Sequence, residues 1–339
     1  MRGGPAAGLP TREEGAPARA APRGTSGAST LLAALGLLLT ACGGSGSPGG
    51  AAGAMDTLLA VNGTRLFVHV EGSGEPIVVV HGGPVLDQGY LVGPLRPLGT
   101  DHELVFYDQR LSGRSEGSVD SASVTLASFV DDLEGIRREL GLGRIHLLGH
   151  SWGGLLAMEY ALAHPDRLRS LVLVSPMPPS VGLWQQEQAA VAASLAPEDT
   201  AGMGGLRASG AFRAGDPAAI EQRLRLSFRS QLADPTLASS LRFHIEPDYG
   251  ERSRQFGYLL PELMTYDLTG RLPGLRVPTL VVYGAAETAA ARTADTLRAL
   301  ISDVRVEAIP GAGHFSFLER PDAFLGVARD FLVGVAKGR

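Results

Sequence analysis

The stretch Ile145-His146-Leu147-Leu148-Gly149-His150-Ser151-Trp152-Gly153-Gly154-Leu155-Leu156-Ala157-Met158-Glu159-Tyr160 decides how this chain is read. It opens as a short apolar run and ends with helical spacing. Between the two stands Ser151, with Gly149 two residues before it and Gly153 two after. A strand that reverses sharply into a helix leaves its turn residue in a strained conformation, and small flanking residues let the neighbouring backbones close without a Cβ clash. The serine then stands clear of the sheet with its hydroxyl turned to a cleft. G-x-S-x-G between a strand and a helix marks a nucleophile elbow. Ser151 is therefore the candidate nucleophile.

Working outward, the chain alternates strands with helices. Thr57 to Val61 and Arg65 to Glu71 read as a hairpin about Asn62-Gly63. Pro76 opens Ile77-Val78-Val79-Val80, a continuous apolar strand of the kind buried in a parallel sheet, which runs into His81-Gly82-Gly83-Pro84. A strand from Glu103 to Tyr107 leads into Asp108-Gln109-Arg110. The spacing of Phe129, Leu133, Ile136 and Leu140 predicts an amphipathic helix over 123–140, stopped by Gly141. A helix over 152–163 and a strand over 170–174 follow, and such alternation implies parallel pairing with crossover connections. From Ser175 to about Gly274 the rhythm changes to helices alone, expected at 185–195, 217–233 and 251–264. A helical insertion at a strand end would sit over the site as a lid. Strands resume at 277–283 and 304–309, with a helix containing 297–300 between them and a last helix over 321–335.

A serine hydroxyl attacks at neutral pH only when a neighbouring base takes its proton, and histidine suits that role. His314 is the best placed of the eight histidines, because it follows the last strand in a Gly311-Ala312-Gly313-His314 loop and completes the order Ser, acid, His. His150 is next to Ser151 but points to the opposite face of its strand, and His81 serves its loop. A third group must fix the imidazole tautomer. Glu287, in the loop after strand 277–283, is the candidate, with Asp295 on the following helix as the alternative. No acidic residue ends the strand at Val174. Oxyanion donors are expected from the backbone N–H of Trp152 and from Gly83, with Gly82 as second choice.

The chain has 339 residues, 44% hydrophobic and 19% charged, which is the composition of a folded protein. A net charge of −5 with scattered arginines gives no electrostatic case for nucleic acid. No Cys and His set has metal-ligand spacing, and no cofactor is implied. Leu31 to Leu39 is apolar and too short to span a bilayer, and it ends in Leu39-Thr40-Ala41-Cys42 before a Gly-rich tract. This resembles a bacterial lipoprotein signal. The resemblance implies a signal peptide over 1–41, diacylation of Cys42, a flexible linker over 42–56 and an envelope location. Translation from Met55 would instead leave a cytoplasmic enzyme.

His81-Gly82-Gly83-Pro84, the 108–115 stretch D-Q-R-x-S-G-R-S, the elbow and the 311–314 loop together resemble the α/β-hydrolase superfamily, and more narrowly its proline iminopeptidase branch. That implies a mostly parallel sheet flanked by helices, with a core at 57–175 and 275–339 and a helical cap at 176–274. The implied activity is release of an N-terminal residue from a short peptide through an acyl-enzyme. In that branch a cap glutamate captures the substrate's free amine. The segment Phe243-His244-Ile245-Glu246-Pro247-Asp248-Tyr249 is similar to the branch's cap motif, so Glu246 inherits this role, with Glu187 second. Val85 and Leu111 stand where the branch has glycine, and Glu287 stands where it has aspartate. Bulk at 85 and 111 is expected to reshape the pocket floor. The alternatives are an esterase or lactonase on uncharged substrates with the same triad, and a surface binding lipoprotein without catalysis.

Overall fold

The computed structural model describes residues 53–117 and 119–338; the expected signal peptide, Cys42 and most of the linker lie outside the described residues. The strands are β1 (Met55–Val61), β2 (Thr64–Gly72), β3 (Glu75–Val80), β4 (His102–Tyr107), β5 (Ile145–His150), β6 (Leu168–Val174), β7 (Thr279–Gly284) and β8 (Val304–Ile309). Among the described residues they form one sheet in the order β1-β2-β4-β3-β5-β6-β7-β8. β1 pairs antiparallel with β2 and β2 with β4, while β3 to β8 are joined by parallel ladders. Asn62 (φ 46°) and Gly63 (φ 80°) both take the left-handed conformation that a two-residue hairpin turn demands.

The parallel strands are buried on both faces. Along β3, Val78 and Val80 enter one core while Ile77 and Val79 enter the other. The first core is covered by α2 (Leu126–Glu139), α3 (Trp152–Ala163) and α10 (Thr288–Leu300), which contribute Phe129, Leu133, Leu155 and Leu297. The second is covered by α1 (Gly89–Leu95), α11 (Ser316–Glu319) and α12 (Pro321–Ala336), which contribute Leu91, Leu95, Phe317, Phe324 and Leu332. Each such side chain contributes about 1.5–3 kcal/mol when fully buried. α2 starts later than the spacing predicts because Thr125 caps it, its hydroxyl accepting the Ser128 N–H.

Between β6 and β7 the chain is helical: α4 (Val181–Ser194), α5 (Pro197–Ala208), α6 (Gly210–Arg213), α7 (Pro217–Arg229), α8 (Tyr249–Phe256) and α9 (Leu260–Leu263). Two expectations change here. α5 lies where the sequence reads as a loop. Its glycines disfavour a helix by about 1 kcal/mol each, but it packs on α7, and its buried Asp199 accepts from Arg229 at 2.8 Å. The helix expected at 251–264 is broken, since Gly257–Leu259 forms a 3-10 turn between α8 and α9. Arg252 of α8 ties this segment to the sheet side by donating to the Gly113 and Ser115 carbonyls, at 2.9 and 3.0 Å.

Candidate active site

Five non-glycine residues among those described have a left-handed backbone. Four of them, Val85, Leu111, Ser151 and Ser175, follow the carboxyl ends of β3, β4, β5 and β6 in turn. Each such residue costs about 1–3 kcal/mol, which only surrounding structure can maintain, and such strain gathers at functional sites. Ser151 holds φ 55° and ψ −120° at the junction of β5 and α3. Its N–H donates to Val174 at 3.1 Å, and its carbonyl accepts from Gly154 and Met177, both at 2.8 Å. The sequence makes this bend possible because a Cβ at Gly153 would overlap the Val80 carbonyl, and one at Gly149 the Gly153 carbonyl.

Ser151 opens into a cavity of about 360 Å³ that His314 also lines. No hydrogen bond links the two side chains among the described residues, and such contacts commonly tighten only when substrate binds. Behind His314, Nδ1 meets the Glu287 carboxylate at 2.5 Å, so Nδ1 carries the proton and Nε2 is left as acceptor. The second Glu287 oxygen accepts from the Ser175 hydroxyl at 2.7 Å. Burial disfavours the His314 imidazolium, but the surrounding carboxylates, Glu287 first and then Glu187 and Glu319, together outweigh that effect, and the net displacement of its pKa is upward. Asp295 lies on α10, exposed and paired with Arg298, so Glu287 is the acid that reaches the imidazole.

The oxyanion side is wired through the loops after β3 and β4. His81 Nδ1 donates to the Gly82 carbonyl, while Nε2 accepts the Gln109 N–H at 3.1 Å. The Gln109 amide donates to the His81 carbonyl and accepts from the Trp152 indole, both at 2.8 Å. The Gly82 N–H donates to the Tyr90 hydroxyl at 2.6 Å, and that hydroxyl donates to His150 Nδ1 at 2.7 Å. This corrects the second choice of donor, because the Gly82 amide is already committed. The N–H groups of Gly83 and Trp152 have no partner among the described residues, and both residues line the cavity. His150 donates through Nε2 to the His314 carbonyl, and burial holds it neutral.

The cavity walls are mainly apolar, formed by Met177, Trp184, Phe228, Phe256 and Leu263, with Gln188 and Gln231 among them. The carboxylate among them is Glu187 of α4, which burial and the nearby Glu287 push up to about 7. Glu246 is not at this wall. It pairs with His244 at 2.9 Å, and of the two carboxylates expected to meet a substrate amine it is Glu187 that lines the cavity. Val85 and Leu111 do not form the pocket floor either; both side chains are buried in the core beneath the site. Sequence reasoning missed Ser175 because it searched the end of β6 for a carboxylate alone. It missed Tyr90 because nothing local shows that its hydroxyl reaches Gly82.

A sheet of this order with an elbow serine, a histidine after the last strand and an acid after β7 defines an α/β hydrolase. The family described as alpha/beta hydrolase fold matches residues 75–321, and the chain belongs to it. Among characterised proteins it is similar to the proline iminopeptidase of Heyndrickxia coagulans, 27% identical over 277 residues that cover 77% of this chain and 91% of that one. It is likewise similar to the proline iminopeptidase of Lactobacillus helveticus, 28% identical over 273 residues covering 76% and 89%. The crystal structure of the Mycobacterium smegmatis proline iminopeptidase superposes with a TM-score of 0.63 at 24% identity, covering 84% of this chain and 100% of that one, a likeness of fold.

Proposed function

We propose that this hydrolase releases the N-terminal residue of short peptides through a Ser151-His314-Glu287 triad. Ser151 Oγ attacks the carbonyl as His314 Nε2 takes its proton, and Glu287 holds the Nδ1–H and favours the imidazolium. The Gly83 and Trp152 N–H groups receive the oxyanion, each contributing about 3 kcal/mol. His314 returns the proton to the leaving amine, and water attacks the acyl-enzyme by the same relay. The observation that carries the substrate assignment is Glu187, which lines a mainly apolar cavity together with Ser151 and His314. An ammonium entering such a cavity needs an opposite charge there. The names of the relatives point the same way. No cofactor enters these steps.

Aminoacyl-arylamides and p-nitrophenyl esters assayed side by side test this. Glu187→Gln should lose most amidase activity while keeping its rate on uncharged esters. Equal loss on both, or ester turnover without amide turnover in the wild type, would instead support an esterase. We also propose that Cys42 carries a lipid anchor outside the cytoplasmic membrane; metabolic palmitate labelling that persists in Cys42→Ala would exclude it.

A further inference from the structure

The loop that presents His314 is hydrogen-bonded to the inserted segment at the turn that follows α7. The His314 N–H donates to the Gln231 carbonyl at 2.8 Å. A Cβ on Gly313 would overlap that same carbonyl, so this glycine is what lets the two chains approach. Glu319, at the end of α11, closes the junction. Its Oε2 accepts the Gly313 N–H at 2.6 Å, and its Oε1 accepts those of Ala233 and Asp234 at 2.7 and 3.2 Å. One carboxylate thereby gathers three backbone amides from two segments about eighty residues apart in sequence. Gln231, meanwhile, lines the cavity with Ser151 and His314. Further along the cap, Arg252 and His244 make their own hydrogen bonds to the core, to Gly113 and Ser115 and to Asp87, but none of these touches the histidine loop.

We propose that Glu319 is a positioning residue for His314, clamping the cap turn of Gln231 to Asp234 onto the histidine loop so that the seating of the cap sets where the imidazole stands. The proposal rests on His314 being the general base. Glu319 does not line the cavity and touches no reacting atom. It acts through two contacts on the loop, one direct at Gly313 and one relayed by the Gln231 carbonyl. Its charge also favours the imidazolium. A displacement of about 1 Å at a reacting group costs on the order of a hundredfold in rate.

The test uses the full chain and the second-order rate at which an alkyl fluorophosphonate labels Ser151, which requires no knowledge of the substrate. Glu319→Gln keeps the shape but turns one acceptor into a donor facing backbone N–H groups. It should label roughly 10- to 100-fold more slowly, with the acid limb of its pH profile moved to lower pH. In a His314→Ala background the same change should cost nothing further. Glu319→Asp, which keeps the charge but shortens the reach, should fall between, and it serves in place of Glu319→Gln if that variant does not fold. Unchanged labelling in a folded variant, or an equal loss with and without His314, would overturn the proposal. Absence of labelling in the wild type would overturn the triad reading instead.

Discussion

Glu287 Oε1 lies 2.5 Å from His314 Nδ1, while Glu287 Oε2 takes the Ser175 hydroxyl at 2.7 Å, so both carboxylate oxygens are held before any substrate arrives. Of the two acids that the sequence left open, Glu287 and not Asp295 is the one in contact with the imidazole. Glu287→Gln should lower kcat by about 10³- to 10⁴-fold with KM little changed, since the amide favours the wrong imidazole tautomer. Asp295→Ala should leave both unchanged, because Asp295 is exposed and, among the described residues, its side chain pairs with Arg298 alone. Steady-state kinetics on the two variants checks this directly.

Glu187 sits in the substrate cavity with its pKa raised to about 7 by burial and by Glu287. A carboxyl raised in this way is protonated below that pH and ionised above it. KM for aminoacyl-arylamides should therefore fall as pH rises through about 7. It should climb again once the substrate's own amine, with a pKa of about 8, loses its proton. KM for uncharged esters should show neither limb. A pH series of KM on both substrate types reads this out, and a flat amide profile would remove Glu187 from the amine site.

Leu111 is wholly buried at φ 65° and belongs to the core rather than to the cavity wall. Leu111→Ala should destabilise the fold by about 2–5 kcal/mol through the cavity it leaves. The ratio of kcat/KM between proline and other aminoacyl substrates should stay within about twofold of wild type. Denaturant unfolding gives the first quantity and substrate panels the second. A changed ratio would mean that this side chain shapes the pocket after all.

Asp87 is buried beside Asp108 and joins the core loop to the cap, accepting the Gly89 and His244 N–H groups at 3.1 Å each. Burial first, and Asp108 second, raise its pKa to about 6. Between its ordinary value of about 4 and this raised one, the folded state binds more protons than the unfolded chain, so stability falls as pH rises through that window. In Asp87→Asn that dependence disappears. The stability of the variant relative to wild type should shift in its favour by roughly 2–3 kcal/mol between pH 4 and 7. Chemical denaturation at the two pH values measures the shift.

What could be read from the sequence was local. The elbow was legible because strand, serine, close-packed glycines and helix all lie within sixteen residues, and α3 spans Trp152–Ala163 as expected. The hairpin was legible because Asn62-Gly63 suits few other turns. Features set by packing over distance were not legible. Which cap glutamate shares a cavity with Ser151 depends on how the cap helices pack, so Glu187 and Glu246 could be ranked only by resemblance, and it is Glu187 that lines the cavity. The Gly82 amide looks free until Tyr90 is seen to reach it. α5 forms despite Gly202, Gly204 and Gly205 because its partner α7 lies nine residues further along the chain.

The central claim is that the Ser151 hydroxyl is activated by His314. Intact-mass analysis after exposure to an alkyl fluorophosphonate tests it most directly. One phosphonyl adduct on Ser151, absent in Ser151→Ala and at least a hundredfold slower in His314→Ala, on the order of the loss expected for removing the base, is the predicted result. No adduct on the folded wild-type protein, or one formed equally fast without His314, would contradict the account.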